Sequence, residues 1–315
     1  MSDLQPASTP VSSHTAGSAE RILQRIEWQV LRRLDGQLQG DYRSLFYGYG
    51  ADFADLREYQ PGDDIRYIDW NVTARTDQPY VRQYTEDREI SAWFLLDLSP
   101  SMAFGTDSAG KHARLVELTG LLARLLTRHG NRVAALLYGG RAPAADGEQP
   151  LQHIPPGSGR RQVLWLMDAL LKPPAAPPGL TDLAPLLETG LRAIRRRSLV
   201  FVISDFLCAP GWERPLRLLS RRHEVLAVRL WDPAEAELPD VGAAWLEDAE
   251  TGEQLYVDTG DARFRARYAE AARQRQADLE RALRHAGAVP WSLSAGEGLL
   301  RAVLRFAELR RRPRR

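Results

Sequence analysis

Two short apolar runs stand out in the pattern of hydrophobic and polar positions, and an acid follows each of them. The first spans residues 92–96 and is followed at once by Asp97. The second spans residues 199–203 and is followed by Ser204 and Asp205. Runs of this length without polar residues are typical of strands that are buried on both faces of a sheet. We therefore predict two central strands, each with an acid at its carboxyl end.

Segments with helical spacing separate the strand-like runs. In one of them, the leucines at 115, 118, 122 and 125 form a single apolar stripe of a helix that ends near Gly130. Further strands are predicted at 133–138, 224–230 and 289–293, and further helices at 160–171, 182–195, 212–221, 261–285 and 297–311. Strands that alternate with helices favour an α/β fold with a doubly wound, mostly parallel sheet.

Three regions depart from this alternation. The runs 244–246 and 254–257 flank a turn-like segment and predict an antiparallel hairpin, either inserted or at an edge. Residues 20–34 have helical spacing, whereas residues 1–19 are rich in Ser, Thr, Pro and Ala and predict a disordered leader rather than a signal peptide. The predicted organisation is a leader (1–19), an N-terminal accessory segment (20–90), the α/β domain (91–310) and a basic tail (311–315).

Oxygen-bearing side chains gather at the predicted carboxyl ends of the strands. Asp97, Ser99 and Ser101 occupy alternate positions after the first run, so they can turn toward one point in the crevice where α/β sheets bind ligands. Thr181, before a predicted helix, and Asp205 supply further hard oxygen ligands. Such ligands suit Mg²⁺ or Mn²⁺, and without sulfur or imidazole the set is poor for zinc or copper. The sequence therefore predicts a divalent-cation site at these five residues.

Each of these groups also has a plainer explanation. Thr181 could simply cap a helix, and its neighbour Asp182 is either a second acid near the metal or, as we prefer, a favourable charge at the helix start. Asp97 could be the nucleophile of a Mg²⁺-dependent hydrolase or phosphotransferase, although the haloacid-dehalogenase-type motif requires a second acid where Ser99 stands. A vestigial site in a structural protein is the third alternative. No nucleophile–base arrangement can be read from the sequence, so we expect no enzyme activity.

Composition narrows the partners and the chemistry. Forty-two basic and 41 acidic residues leave a net charge of +1, which gives no overall attraction to nucleic acid. The single cysteine, Cys208, excludes an internal disulfide and a thiolate metal cage, and we interpret it as an inert thiol that fits a reducing cytoplasm. No apolar stretch approaches the roughly 18–20 residues that span a bilayer. We expect a cytoplasmic protein without nucleic-acid partners, and the sequence leaves its oligomeric state open.

The order DxSxS, then Thr, then Asp resembles the metal-ion-dependent adhesion site of von Willebrand factor type A domains. Upstream, the string LREYQPGDDIRYIDW at residues 56–70 is followed by Thr73, Ala74 and Arg75. This string is similar to the signature of the domain-of-unknown-function 58 family, whose members carry a von Willebrand A-like domain. The resemblance extends over residues 20–310 of the chain.

The resemblance implies a set of metal ligands and a class of partner. The ligands would be Asp97, Ser99, Ser101, Thr181 and Asp205, with the serines bound directly, the acids often bound through water, and an acidic residue of the partner in the open position. Family members are commonly encoded beside MoxR-type AAA+ ATPases. The implied role is therefore an adaptor or co-chaperone that presents a client protein to such an ATPase during protein maturation.

The signature segment itself has two interpretations. We interpret Arg66 and Asp69 as an ion pair that docks the segment against the sheet, and Trp70 as a packing anchor. Acid–base catalysis by its paired carboxylates, Asp63 and Asp64, is the less favoured alternative.

Overall fold

The computed structural model describes residues 13–34, 55–60, 63–65, 68–76, 78–83, 91–104, 110–139, 151–172 and 179–311. The strands are β1 (Asp55–Glu58), β2 (Tyr80–Gln83), β3 (Ser91–Asp97), β4 (Arg132–Tyr138), β5 (Leu151–Gly157), β6 (Leu199–Ser204), β7 (Glu224–Trp231), β8 (Ala243–Glu247), β9 (Gln254–Asp258) and β10 (Val289–Ser294). The helices are α1 (Ser13–Ile26), α2 (Trp70–Thr76), α3 (Lys111–Arg128), α4 (Gly159–Leu170), α5 (Ala184–Ala193), α6 (Glu213–Arg222), α7 (Pro233–Ala236), α8 (Ala262–His285) and α9 (Leu299–Arg311).

Six of the strands form one sheet in the order β10-β7-β6-β3-β4-β5. Neighbouring strands are parallel, except that β5 runs antiparallel to β4. The strand order reverses around β3, since the chain continues from β3 to β4 on one side and later returns to β6 on the other. The gap between the carboxyl ends of β3 and β6 is therefore a topological switch point, where sheets of this kind bind ligands. This topology confirms the predicted doubly wound, mostly parallel sheet.

Helices cover both faces of the sheet and create two apolar cores. Because successive side chains of a strand point to opposite faces, Phe94 and Leu96 enter one core while Trp93 and Leu95 enter the other. Helices α1, α3, α4 and α9 cover the first face, and α5, α6 and α8 cover the second. Gly190 lets α5 approach β3 closely, since a Cβ atom at that position would lie 2.8 Å from Cδ2 of Leu95. Both central strands are thus fixed by packing from two sides.

The N-terminal helix begins earlier than the sequence pattern predicts. Helix α1 starts at Ser13 and continues as a π-helical turn over Glu27–Leu31, so the predicted leader of residues 1–19 is too long, and residues 1–12 lie outside the described part. Leu23 and Ile26 pack in the same core as one face of the sheet. The division at residue 90 between an accessory segment and the α/β domain stays a prediction, although α1 packs against that domain.

The signature segment differs from its predicted packing. Its first strand, β1, pairs antiparallel with β2. Asp69 begins the short helix α2 by accepting a hydrogen bond from the Val72 amide at 3.3 Å, and its predicted partner Arg66 lies outside the described residues. Trp70 is 69% exposed, so its prediction as a packing anchor is wrong. The reason is local: with Asp69 as the cap, Trp70 takes the first helical position and lies on the outer side of this short helix.

The predicted hairpin is confirmed. Strands β8 and β9 pair antiparallel with Trp245 opposite Tyr256, and they form a sheet of their own beside the main one. Their connecting turn reaches the carboxyl ends of β3 and β6, as described next.

Candidate metal centre

The five predicted ligands lie at the switch point and are all buried. Asp97 is the last residue of β3 and Asp205 directly follows β6, the neighbouring strand. Ser99 follows β3 and precedes a 3₁₀-helical turn, Pro100–Ala103, which contains Ser101, and Thr181 precedes α5. Their exposed fractions range from 1% to 3%. The apolar strands thus bring together residues that are far apart in the sequence.

The loop after β3 holds two hydroxyl groups at a separation that suits magnesium. The Ser99 amide donates to Oδ1 of Asp97 at 3.0 Å, which turns the loop back over the strand end. Ser99 Oγ and Ser101 Oγ are 3.1 Å apart. Neighbouring oxygens of an octahedral Mg²⁺ shell are about 3.0 Å apart, as follows from metal–oxygen distances of about 2.1 Å. The two hydroxyls therefore fit adjacent positions of one such shell.

Asp205 forms a buried ion pair that the sequence pattern did not reveal. Its Oδ1 accepts from the Leu207 amide at 2.9 Å, and its Oδ2 lies 2.7 Å from Nζ of Lys111. The same ammonium lies 2.5 Å from Oε1 of Glu235, and its side chain is only 1% exposed. Burial opposes the charge of Lys111, but the carboxylates of Asp205 and Glu235 outweigh it and raise the pKa above its usual value. Lys111 is therefore a permanent cation in the site.

Asp97 is held on both of its carboxylate oxygens. Besides the bond to Oδ1, Ser204 Oγ donates to Oδ2 at 2.6 Å, and the Phe206 amide donates to Ser204 Oγ at 2.8 Å. Phe206 has a φ of 58°, a left-handed conformation that side chains rarely adopt and that often occurs near functional sites. Burial, and then the charge of Asp205, raise the pKa of Asp97 to about 7, despite the hydrogen bonds from Ser204 and Ser99 that act to lower it. A bound cation would relieve this repulsion between the two acids.

Thr181 contacts an acid of the β8–β9 turn. Its hydroxyl donates to Oε2 of Glu250 at 2.6 Å, and its amide donates to the same oxygen at 3.0 Å. Ser101 N donates to the other oxygen, Oε1, at 3.0 Å. Just before helix α5, Oδ1 of Asp182 accepts from the Ala184 amide, the first of the helix, at 2.9 Å. The preferred interpretation of Asp182 as a helix-start charge agrees with this bond, and the hydroxyl of Thr181 is turned to the site.

Comparison with known proteins agrees with the signature. Residues 55–278 match the family described as "Protein of unknown function DUF58". The chain belongs to the DUF58 family. The uncharacterized protein Mb1516 of Mycobacterium bovis is 39% identical over 293 residues, which cover 92% of this DUF58 chain and 89% of the relative.

Solved structures similar to this DUF58 protein include BatB from Bacteroides thetaiotaomicron, with 14% identity and a TM-score of 0.44 over 70% of this chain and 98% of that one. A von Willebrand factor type A protein from Catenulispora acidiphila has 10% identity and a TM-score of 0.32, over 70% and 42% of the two chains. In the described part of the chain, no helix has both the length and the apolar character to cross a membrane.

Five further polar residues of the site were missed by the sequence pattern: Lys111, Ser204, Arg229, Glu235 and Glu250. Ser204 was the most accessible to prediction, because it ends the same apolar run that places Asp205. The other four come from a helix start, strand β7, a short helix and a hairpin turn, and only the folded topology brings them to the site.

Two observations limit the chemistry of the site. Within the described ranges, no group of three or more His, Cys, Asp or Glu side chains has the arrangement of a metal site. The candidate centre has only two such side chains, both aspartates, and its other three ligands are hydroxyls. Burial, and then the neighbouring carboxylates, raise the pKa of the Cys208 thiol well above its usual value. A thiol that stays protonated is a poor nucleophile, which supports the interpretation of Cys208 as inert.

Proposed function

We propose that this DUF58 protein is a non-catalytic, metal-dependent protein-binding module that works with a MoxR-type AAA+ ATPase. The observation that supports it most is the 3.1 Å separation of the Ser99 and Ser101 hydroxyls beside two buried aspartates at the switch point. A magnesium ion requires a shell of about six hard oxygens at this spacing and keeps water in positions that the protein leaves open.

The charges of the site favour a divalent cation. Arg229 interacts electrostatically with Glu235 and Asp205, and it joins Lys111 as the second cation of the site. Two cations thus face four carboxylates, those of Asp97, Asp205, Glu235 and Glu250. The carboxylates outnumber the cations, and an excess of negative charge in a buried environment is costly. One Mg²⁺ or Mn²⁺ ion would offset this excess.

Each residue has a role consistent with its contacts. Ser99 and Ser101 would bind the ion directly through their hydroxyls. Thr181 donates its proton to Glu250, so its oxygen lone pairs stay available to the ion. The oxygens of Asp97 and Asp205 already accept hydrogen bonds, which suits contact through water. The ion supplies a positive charge that attracts an acidic side chain of a partner protein.

The alternative of a hydrolase or phosphotransferase has less support. Oδ1 and Oδ2 of Asp97 accept hydrogen bonds from the Ser99 amide and Ser204 Oγ, and these bonds hold the carboxylate in place and lower its nucleophilicity. We therefore propose binding rather than turnover as the activity of this site.

The test is the co-purification of this protein with a MoxR-type ATPase, with Mg²⁺ and with EDTA. The variants are Ser99→Ala/Ser101→Ala and, as a control, Ser220→Ala. Ser220 lies on α6, and its buried hydroxyl has no hydrogen-bond partner in the part of the chain that the structure describes. We expect the metal contact to contribute about 1.5–3 kcal/mol, as charge-assisted contacts do. Affinity should therefore fall about tenfold to a hundredfold with EDTA or in the double variant. Binding that is unaffected by both would contradict the proposal.

A further inference from the structure

The turn of the β8–β9 hairpin fills the candidate metal centre from outside. Glu250 in this turn is 6% exposed, and its carboxylate contacts residues 149 and 69 positions away in the sequence, Ser101 and Thr181. The five predicted ligands beneath it are still more buried. A carboxylate from another protein therefore cannot reach the site while Glu250 stays in place.

Glu250 sits in a set of three hydrogen-bond donors that we call the carboxylate cradle. The cradle consists of the Ser101 amide, the Thr181 amide and the Thr181 hydroxyl, which donate at 3.0, 3.0 and 2.6 Å. Hydrogen bonds to an ionised acceptor are stronger than those between neutral groups. Because two of the donors belong to the backbone, the cradle is present whichever carboxylate occupies it.

The turn that presents Glu250 is preformed. Asp248 Oδ1 accepts from the Glu250 and Thr251 amides at 2.8 and 2.9 Å, and Gly252 supplies the left-handed residue with a φ of 73°. The carbonyl of Glu250 also accepts from the Gly179 amide at 2.9 Å. These bonds define the tip and hold it over the cradle.

The rest of the hairpin is loosely tied to the domain. All hairpin residues are described, and neither of the two apolar cores includes any of them. Trp245, Leu255 and Tyr256 are 66%, 62% and 59% exposed, and Val257, although only 7% exposed, lies outside both cores. The tip can therefore leave the cradle without opening a core.

The donors of the carboxylate cradle decide whether the site takes up another acid. While Glu250 stays in place, all three donors are satisfied, and a further acid finds no donor there. When Glu250 withdraws, these buried donors lose their acceptor, which is costly, and a carboxylate that takes its place restores the charge-assisted hydrogen bonds. We propose that Glu250 is an internal stand-in for an acidic side chain of a partner protein, which displaces the hairpin tip and takes its place in the carboxylate cradle.

This inference rests on the proposed function for the existence of a partner, whereas the cradle itself needs no metal. The test therefore uses sodium acetate as the probe, in EDTA, with sodium chloride at equal ionic strength as the reference. The full chain is compared as wild type, Glu250→Ala and Glu253→Gln, the last being a control in the same turn that does not reach the cradle. Thermal unfolding and circular dichroism report acetate binding and folding.

We expect acetate to raise the melting temperature of Glu250→Ala in a saturable way and to bind it about tenfold or more tightly than wild type, the order of one charge-assisted hydrogen bond. Wild type and Glu253→Gln should not respond. A folded Glu250→Ala protein that ignores acetate would overturn the inference.

If Glu250→Ala does not fold, Glu250→Gln replaces it as the test variant, because glutamine keeps the shape of the side chain and removes only its charge. Hydrogen–deuterium exchange over residues 248–253 should then be faster in Glu250→Gln than in Glu253→Gln. Equal protection in the two variants would overturn the inference. A Mn²⁺ titration of wild type separates the two proposals. If wild type does not bind Mn²⁺ but Glu250→Ala responds to acetate, only the metal centre is refuted. If wild type binds Mn²⁺ but Glu250→Ala does not respond to acetate, only the cradle is refuted.

Discussion

Removing the ammonium of Lys111 should destabilise the protein strongly, and magnesium should restore part of the loss. The substitution Lys111→Met keeps an unbranched apolar stem and leaves Asp205 and Glu235 without the cation that lies 2.7 and 2.5 Å from them. Breaking a buried ion pair by removing one partner costs about 3–5 kcal/mol. For a protein of this size, at about 2 °C per kcal/mol, the melting temperature should fall by about 6–10 °C.

Differential scanning fluorimetry with EDTA and with Mg²⁺ measures both parts of this prediction. The control is Lys172→Met, since Lys172 is 43% exposed and its 3.3 Å pair with Asp168 should be worth only about 0–1 kcal/mol. Mg²⁺ should raise the melting temperature of Lys111→Met more than that of wild type, because Asp205 has then lost the cation in direct contact with it. If Lys111→Met melts as the control does, the buried pair is not stabilising. An equal Mg²⁺ shift in both proteins would refute the coupling between Lys111 and the metal.

Two further predictions concern packing and pH. Gly190→Val should destabilise the protein by about 1–3 kcal/mol, because the valine side chain would overlap Leu95 on β3. Thermal unfolding measures this effect. An unchanged melting temperature would contradict the close contact of α5 with the sheet. Burial, and then the charge of Arg222, lower the pKa of His223, whose buried ring nitrogens have no hydrogen-bond partner among the described residues. The folded protein therefore resists protonation of His223. The stability that neutral His223 contributes is complete above the unfolded pKa of about 6.5, and it is lost as the pH falls from there through the lower pKa of the folded state. His223→Leu should lose less stability than wild type between neutral and mildly acidic pH in denaturant titrations, and parallel curves would show that His223 is not responsible.

The sheet and its acids could be predicted because their signals are local. An unbroken apolar run such as 92–96 can only be satisfied by burial on two faces, and the polar residue that ends it marks the carboxyl edge of the sheet. Asp97 and Asp205 were found in this way. The hairpin was also visible, since two short runs flank a turn that contains Gly252.

The missed features depend on contacts that no local pattern encodes. Glu250 has the same turn-like surroundings as the exposed Glu253, and only the folded hairpin places one of them over Thr181. The sequence pattern around Lys111 predicts only a polar residue at the start of a helix, yet in the folded protein its ammonium contacts Asp205. Trp70 shows the opposite error, because a large aromatic residue in a distinctive motif suggests burial while the cap at Asp69 leaves it exposed.

The most direct test of the proposed metal centre is isothermal titration calorimetry with Mn²⁺ on the full chain. Wild type and the Ser220→Ala control should bind one ion each, with the same affinity. The Ser99→Ala/Ser101→Ala variant, which removes both hydroxyls and leaves every acid of the site in place, should bind it at least about tenfold more weakly, the loss of about 1.4 kcal/mol or more. Equal Mn²⁺ binding by all three proteins, or no binding by wild type, would contradict the assignment of this site.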